Sequence, residues 1–273
     1  KSPISQILEN YIKLGFAKKK KILLFLNKKS ESGGVYCRNC KYSDFSKTQP
    51  DVCPNCQSLD IFFTSTNVSS LAKLVKTFVP NASVNLIVQK TPKNNLTIQP
   101  FNNSAIDIAT ASVFYKLSPQ KYNLVAHIRT DSQLAISDYS ATEHLYQQIT
   151  DLKKLARGLL LLQTYNPENE ILKAAASSNY LDFYNSQLPM RKTLLYPPFS
   201  LLIKLSTKGK DEDKIKQKAE KLFHDLNQAP DTRYQVPGTI LGPYRSSFAQ
   251  KTPKYNIILK IPTLGYLLKD KEE

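Results

Sequence analysis

The chain has 273 residues, 41% of them hydrophobic, with 38 Lys+Arg against 22 Asp+Glu for a net charge of +16. That length suits two domains. The longest apolar runs, at Ile22 to Leu26 and Leu159 to Leu162, fall far short of the roughly 18 residues that a membrane span needs. Lys1 to Phe16 mixes Ser, Gln, Glu and Asn with its Ile and Leu, which is not the pattern of a signal peptide. The expectation is therefore a soluble, cytoplasmic protein with no membrane partner. Because it starts at Lys1 and not at Met, it is also expected to be a piece of a longer protein. The basic excess suits a polyanionic partner such as nucleic acid, although a Lys-rich surface can also serve only solubility.

In chain order, Ile4, Ile7, Leu8, Tyr11, Ile12 and Leu14 follow a 3.6-residue period behind Ser2-Pro3, predicting a helix that Gly15 stops. Lys20 to Asn27 is too short and too apolar for a helix and reads as a buried parallel strand. Leu59 to Thr64 reads as a strand, Val68 to Phe78 as a helix closed by Pro80, and Ser83 to Val88 as a strand. Ala105 to Thr110 and Leu124 to Thr130 are further strands; Ala141 to Gly158 is a helix, and Leu159 to Gln163 a last apolar strand. Strands alternating with helices imply a parallel sheet covered on both faces. This first domain runs over 1–165.

Beyond it, helices are expected from Pro167 to Ser177 and from Tyr180 to Gln187, then an extended connector from Arg191 to Phe199 ending in Tyr-Pro-Pro-Phe. The connector region spans 166–199. Ser200 to Ser206, Asp211 to Leu226, Tyr234 to Leu241 and Tyr255 to Ile261 read as strand, helix, strand, strand. That order points to a small α+β, ferredoxin-like domain over 200–273, with Leu264 to Glu273 as the start of a further helix.

All four cysteines lie close together: Cys37-Arg38-Asn39-Cys40, twelve residues, then Cys53-Pro54-Asn55-Cys56. Two CxxC knuckles suit one tetrahedral zinc, because a two-residue gap lets both thiolates converge on one ion. Two disulfides are the rival reading, disfavoured in a reducing cytosol. With four protein ligands the ion has no open position, so its expected role is structural, clipping a zinc-binding insertion over 35–58. The residues between the knuckles read as a solvated loop, and Gly33-Gly34 as the point where the chain leaves a strand.

No Gly-x-x-x-x-Gly-Lys-Ser/Thr phosphate loop is present; Gly209-Lys210 runs into Asp211. His127, His144 and His224 are far apart in sequence and read as surface or core residues. No catalytic residues are assigned.

Several stretches together resemble the C-terminal half of the PriA-type primosomal helicases. They are Phe25-Leu26-Asn27-Lys28-Lys29 ahead of the knuckles, Leu161-Leu162-Gln163-Thr164-Tyr165-Asn166-Pro167, Arg191 through Tyr196-Pro197-Pro198-Phe199-Ser200, and Leu241-Gly242-Pro243. The resemblance implies a RecA-like second helicase lobe with a zinc insertion, followed by a C-terminal domain that helps bind DNA. It implies a replication-restart role in primosome assembly at stalled or branched forks, with DNA and other primosome proteins as partners. The family is an ATP-dependent 3'-5' DNA helicase.

This sequence departs from the family pattern in three places. The family typically carries twice as many cysteines, holding two zincs. Its Gly-Thr-Gln motif reads Asp107-Ile108-Ala109-Thr110-Ala111-Ser112 here, and its glycine-flanked arginine pair reads Lys153-Lys154-Leu155-Ala156-Arg157-Gly158. Arg157 and Lys154 are the nucleotide-associated remnant, and Lys cannot reproduce a bidentate arginine. ATP and Mg would enter only through an intact first lobe upstream, so this chain alone is expected to lack ATPase activity. The DNA-binding candidates are Lys153, Arg191, Lys192, Arg245, Lys251 and Lys254. The alternative function is a zinc-ribbon interaction scaffold with no nucleic-acid role.

Overall fold

In the computed structural model the run Ile22-Leu23-Leu24-Phe25 lies at the middle of a five-stranded parallel sheet. The structure describes residues 2–27, 33–40, 42–46, 50–64, 66–88, 105–115, 121–134, 138–228, 239–246 and 252–263. Two units are distinguished, Lys1–Phe183 and Tyr184–Glu273.

The first unit opens with helix α1 (Gln6–Ala17), whose N-cap Ser5 accepts a hydrogen bond from the Leu8 amide. Strand β1 (Ile22–Phe25) follows, then three short strands, β2 (Gly33–Cys37), β3 (Ser43–Ser46) and β4 (Ile61–Thr64). Helix α2 (Val68–Phe78) starts in a reciprocal cap between Asn67 and Ser70. Strands β5 (Ser83–Ile87), β6 (Ala105–Ala109) and β7 (Tyr122–His127) come next, then the short helix α3 (Asp131–Leu134), helix α4 (Ala141–Leu155) and strand β8 (Ala156–Leu162). Helix α5 (Glu170–Ser177) is capped by Asn169.

The sheet order is β5-β6-β1-β7-β8, all neighbours parallel. Side chains alternate along β1, so Ile22, Leu24 and Leu26 pack with Leu8, Ile12, Leu71 and Val75 of α1 and α2. Leu23 and Phe25 face the other way, into a cluster with Leu152 and Leu155 of α4. A strand buried on both faces must be apolar at every position, which explains the uninterrupted run. This is the RecA-like α/β sheet that the resemblance implied.

Gln163, just after β8, fastens this unit across the chain. Its Oε1 accepts from the Ser5 amide at 2.7 Å, and its Nε2 donates to the Pro3 and Ile128 carbonyls at 2.8 Å each. Next to it, Thr164 Oγ1 and the Tyr165 amide donate to Asp131. The Gln-Thr-Tyr stretch is thus a structural clamp.

Helix α6 (Tyr180–Thr193) runs into the second unit, which continues with β9 (Ser200–Lys208), α7 (Glu212–Gln228), β10 (Thr239–Arg245) and β11 (Lys254–Pro262). Strand β11 lies between β9 and β10 and is antiparallel to both. The β9-α7-β10 unit is therefore a split βαβ motif, the core of a ferredoxin-like arrangement. Gly242, at φ +118°, carries a bulge where β10 shifts register, and a Cβ there would meet the Asn256 carbonyl oxygen at 2.7 Å.

Several expectations are corrected. Helix α1 passes through Gly15 to Ala17. The expected helix from Ala141 to Gly158 ends at Leu155, and the last strand starts at Ala156. Gly158 is a point of close approach and not a helix stop, because a Cβ there would lie 2.4 Å from the Asn123 carbonyl oxygen. Helix α6 continues past Pro189 to Thr193, with the Leu194 amide still bonded to the Met190 carbonyl, so Arg191 and Lys192 are reached by a helix and not by an extended connector. Tyr196-Pro197-Pro198-Phe199 is a turn, closed by the Phe199 amide on the Tyr196 carbonyl at 3.0 Å. The expected helix at Leu264 to Glu273 lies outside the described residues.

Candidate metal centre and nucleic-acid residues

Strand β2 pairs antiparallel with both β3 and β4, giving a small sheet that carries Cys37 at the end of its central strand. The stretch read as a solvated loop thus contains β3, and Gly33-Gly34 belong to β2 itself. Each knuckle is a turn closed by the backbone of its first cysteine. The Cys37 amide donates to the Tyr42 carbonyl at 2.8 Å, and the Cys53 amide to the Ser58 carbonyl at 2.9 Å. In the second knuckle Gln57 takes a left-handed φ of 58°, which lets its amide return to the Cys53 carbonyl.

These turns bring the sulfurs of Cys37, Cys40, Cys53 and Cys56 within 4.8 Å of one another. Cys37 Sγ lies 3.6 Å from Cys56 Sγ, and Cys40 Sγ lies 3.6 Å from Cys53 Sγ. The near pairs join one knuckle to the other, and all four cysteines are free. Thiolates bound tetrahedrally at about 2.3 Å would sit about 3.8 Å apart, so the cluster could hold one metal ion.

Electrostatics point the same way. Hydrogen bonds from the Asn55 side chain and the Tyr42 backbone bring the Cys40 thiol down to about 6. At Cys56 the Ser58 backbone also favours the thiolate, but Cys40, burial and the other sulfurs together push the thiol up to about 11. The first thiolate forms easily and the last needs a cation beside it. The Asn55 amide on Cys53 Sγ at 3.4 Å and Asn39 Nδ2 on Cys56 Sγ at 3.8 Å supply further donors to the sulfurs.

The basic candidates fall into groups. In the first unit Lys153 Nζ donates to the Ala176 carbonyl and to Ser178 Oγ, tying the end of α4 to that of α5. Lys154 pairs with Asp151 at 2.8 Å. Arg157 is exposed in β8, within a bulge where Arg157 and Gly158 oppose Asn123. In the second unit Arg191 donates to the Pro197 carbonyl at 3.2 Å, and Lys192 is exposed in the last turn of α6. Arg245 holds Glu212 through two nitrogens, at 2.8 and 3.3 Å, and is paired with Tyr255, while Lys254, which opens β11, is in register with Lys208. Lys251 lies outside the described residues.

The Asp107 to Ser112 stretch turns its polar groups inward. Asp107, 1% exposed, accepts from Tyr122 Oη at 2.7 Å and Asn85 Nδ2 at 3.0 Å. Burial, with the nearby Asp107 carboxylate, raises the Tyr122 hydroxyl above its usual range. Thr110 and Ser112 bond each other, and Ser112 reaches the Ile87 carbonyl. Sequence reasoning did not single out Lys18 to Lys21, whose signal was plain: four consecutive lysines leading into β1.

No helix among the described residues is long and apolar enough to cross a membrane. No protein-family model matches the chain. It is similar to the replication restart protein PriA of Borreliella burgdorferi, at 26% identity over 94% of this chain and 44% of that protein. It is similar also to replication restart protein PriA of Synechocystis sp., at 23% over 90% of this chain and 34% of the relative, and of Bacillus subtilis, at 26% over 88% and 34%. The chain therefore resembles replication restart proteins PriA over most of its length, and spans between about a third and under half of theirs.

Proposed function

We propose that this chain is the DNA-binding, replication-restart portion of a PriA-type protein, acting at stalled or branched forks in primosome assembly. The observation that carries the reading is the similarity to several replication restart proteins PriA along most of the chain, joined to a RecA-like sheet and a four-cysteine cluster. In this reading 1–165 is a second helicase lobe, 166–199 a connector and 200–273 a DNA-binding domain, and the protein works in the cytoplasm.

The metal is zinc, because four thiolates with no open position suit a tetrahedral, redox-silent ion. Bound by Cys37, Cys40, Cys53 and Cys56, zinc would supply the cross-link that a module with little apolar core lacks.

Motif degeneracy makes the chain a binder and not a motor. Arg157 and Lys154 stand where nucleotide-contacting groups would be expected, but Lys154 is held by Asp151. DNA binding is the test. Fluorescence anisotropy with forked and single-stranded DNA should show binding whose log affinity falls linearly with log salt, as phosphate counterions are released. Undetectable or salt-insensitive binding at low salt would remove the reading and favour the protein-interaction scaffold.

A further inference from the structure

Strands β1, β7 and β8 are neighbours in space although they are far apart in the chain. Being parallel, they begin at one edge of the sheet, and the segments that lead into them are basic. Lys18 to Lys21 precede β1, Lys121 precedes β7, and Lys154 and Arg157 flank the entry to β8.

The pairing fixes how these segments meet. The Lys21 amide donates to Asn123 Oδ1 at 3.1 Å, and the Asn123 amide returns to the Lys21 carbonyl at 2.9 Å. Lys121 Nζ reaches the Lys154 carbonyl. Tyr122 is in register with Ala156, and the bulge sets Arg157 opposite Asn123. With strands about 4.8 Å apart, the three entries form a basic edge about 10 Å long, extended by the turn after α1.

We infer that this edge is a track for a nucleic-acid phosphate backbone, an inference that rests on the DNA-binding reading above. The lysines also lie where helices α1 and α4 end, where cations offset the carbonyl dipole. Lys121 and Lys154 serve that role in part, the first on a terminal carbonyl and the second paired to Asp151. Lys18, Lys19, Lys20 and Arg157 are exposed, and the ends of two helices do not need so many charges. The row is too long for one phosphate group and suits a polymer with a charge about every 1.7 Å of duplex axis. Stacking is not part of the recognition: Tyr122, the aromatic residue opening β7, is 3% exposed with its hydroxyl on Asp107. The edge therefore reads backbone charge and is indifferent to base identity.

The test compares the unaltered chain with a variant carrying Lys18→Ala, Lys19→Ala, Lys20→Ala and Arg157→Ala, titrated against a blunt random-sequence duplex over a salt series. The control is Lys73→Ala, Lys76→Ala and Lys173→Ala, exposed lysines of α2 and α5 that lie away from the edge and outside 200–273. The edge variant should bind about tenfold or more weaker at low salt, with its log–log salt slope shallower by roughly 2 to 4, while the control changes little. The same edge variant made with Arg157→Lys in place of Arg157→Ala should recover part of the slope. Metal content and melting temperature equal to the unaltered chain establish that the variant is folded. If the unaltered chain binds forked or single-stranded DNA but no duplex at low salt, this inference falls alone; if it binds none of them, the DNA-binding reading falls with it. If it binds the duplex and the edge variant matches it, or the control loses as much, the edge is not the track and the broader reading stands.

Discussion

Cys40 and Cys56 show how local bonding prepares a thiolate cage: one sulfur ionises near neutrality, and the other is held back by its neighbours. Removing one thiolate leaves three sulfurs and a vacant tetrahedral corner, so Cys53→Ser should lower zinc from about one per chain to a small fraction. Protease cutting within 35–58 should rise with it. Metal analysis of purified protein checks this, and a variant that keeps its zinc would contradict a four-thiolate site. His127 gives a second prediction. It is fully buried beside Phe25, ring centroids 5.1 Å apart, and burial holds its imidazole down at about 3. The unfolded chain takes up a proton near pH 6.5 and the folded chain does not until about 3. Stability should therefore be fully present above 6.5 and fall by up to about 1.4 kcal/mol per pH unit as pH drops toward 5. Denaturant titrations of the chain and of His127→Leu, run in parallel so that proton competition at the thiolates cancels, should show the slope only in the first.

At the scale of elements, the entry to β8 shows what a sequence hides. Glycine after a helix reads as a stop, yet Gly158 is there because β7 runs 2.4 Å from where its Cβ would be. Gly158→Ala must push the two strands apart or break the bulge, and should cost about 1–3 kcal/mol, read as a lowered melting temperature with metal content unchanged. The parallel strands and α2 were legible because each is an apolar run or a clean 3.6-period stripe, strongest in β1. The clustering of the four cysteines was legible because knuckle spacing is a local property. Strand β3 was not, since Ser-Asp-Phe-Ser has no alternation to reveal it and its pairing is imposed by the turn from Cys37 to Tyr42. Helix α6 ran on past Pro189 for a reason seen only in its continuing backbone bonds. The basic edge was hidden most deeply, because the adjacency of β1, β7 and β8 is a fact of topology and no window of sequence contains it.

For the whole molecule, the basic balance of +16 and the occupied polar groups at Asp107, Thr110 and Ser112 argue for holding a polyanion and against turning over a nucleotide. Charge developing on a transferred phosphoryl group needs several preorganised cations and a metal, and here Arg157 stands with a Lys154 already paired to Asp151. The chain should therefore hydrolyse no ATP with or without DNA, and Arg157→Ala should leave that result unchanged while weakening DNA binding; measurable phosphate release would overturn this. Central strand β1 has a consequence of another kind. Its partners are Ile106 and Leu124, both far along the chain, so β1 must wait, unpaired and wholly apolar, until distant segments arrive. Long loops are slow to close, and the cysteine insertion lies within the first of them. By joining Gly34 to Thr64 across β2 and β4, the insertion shortens the wandering path between β1 and α2. An ion held by the four sulfurs would thus be a timing device as well as a clip: it would reduce the interval in which the stickiest segment of the chain is exposed to other chains.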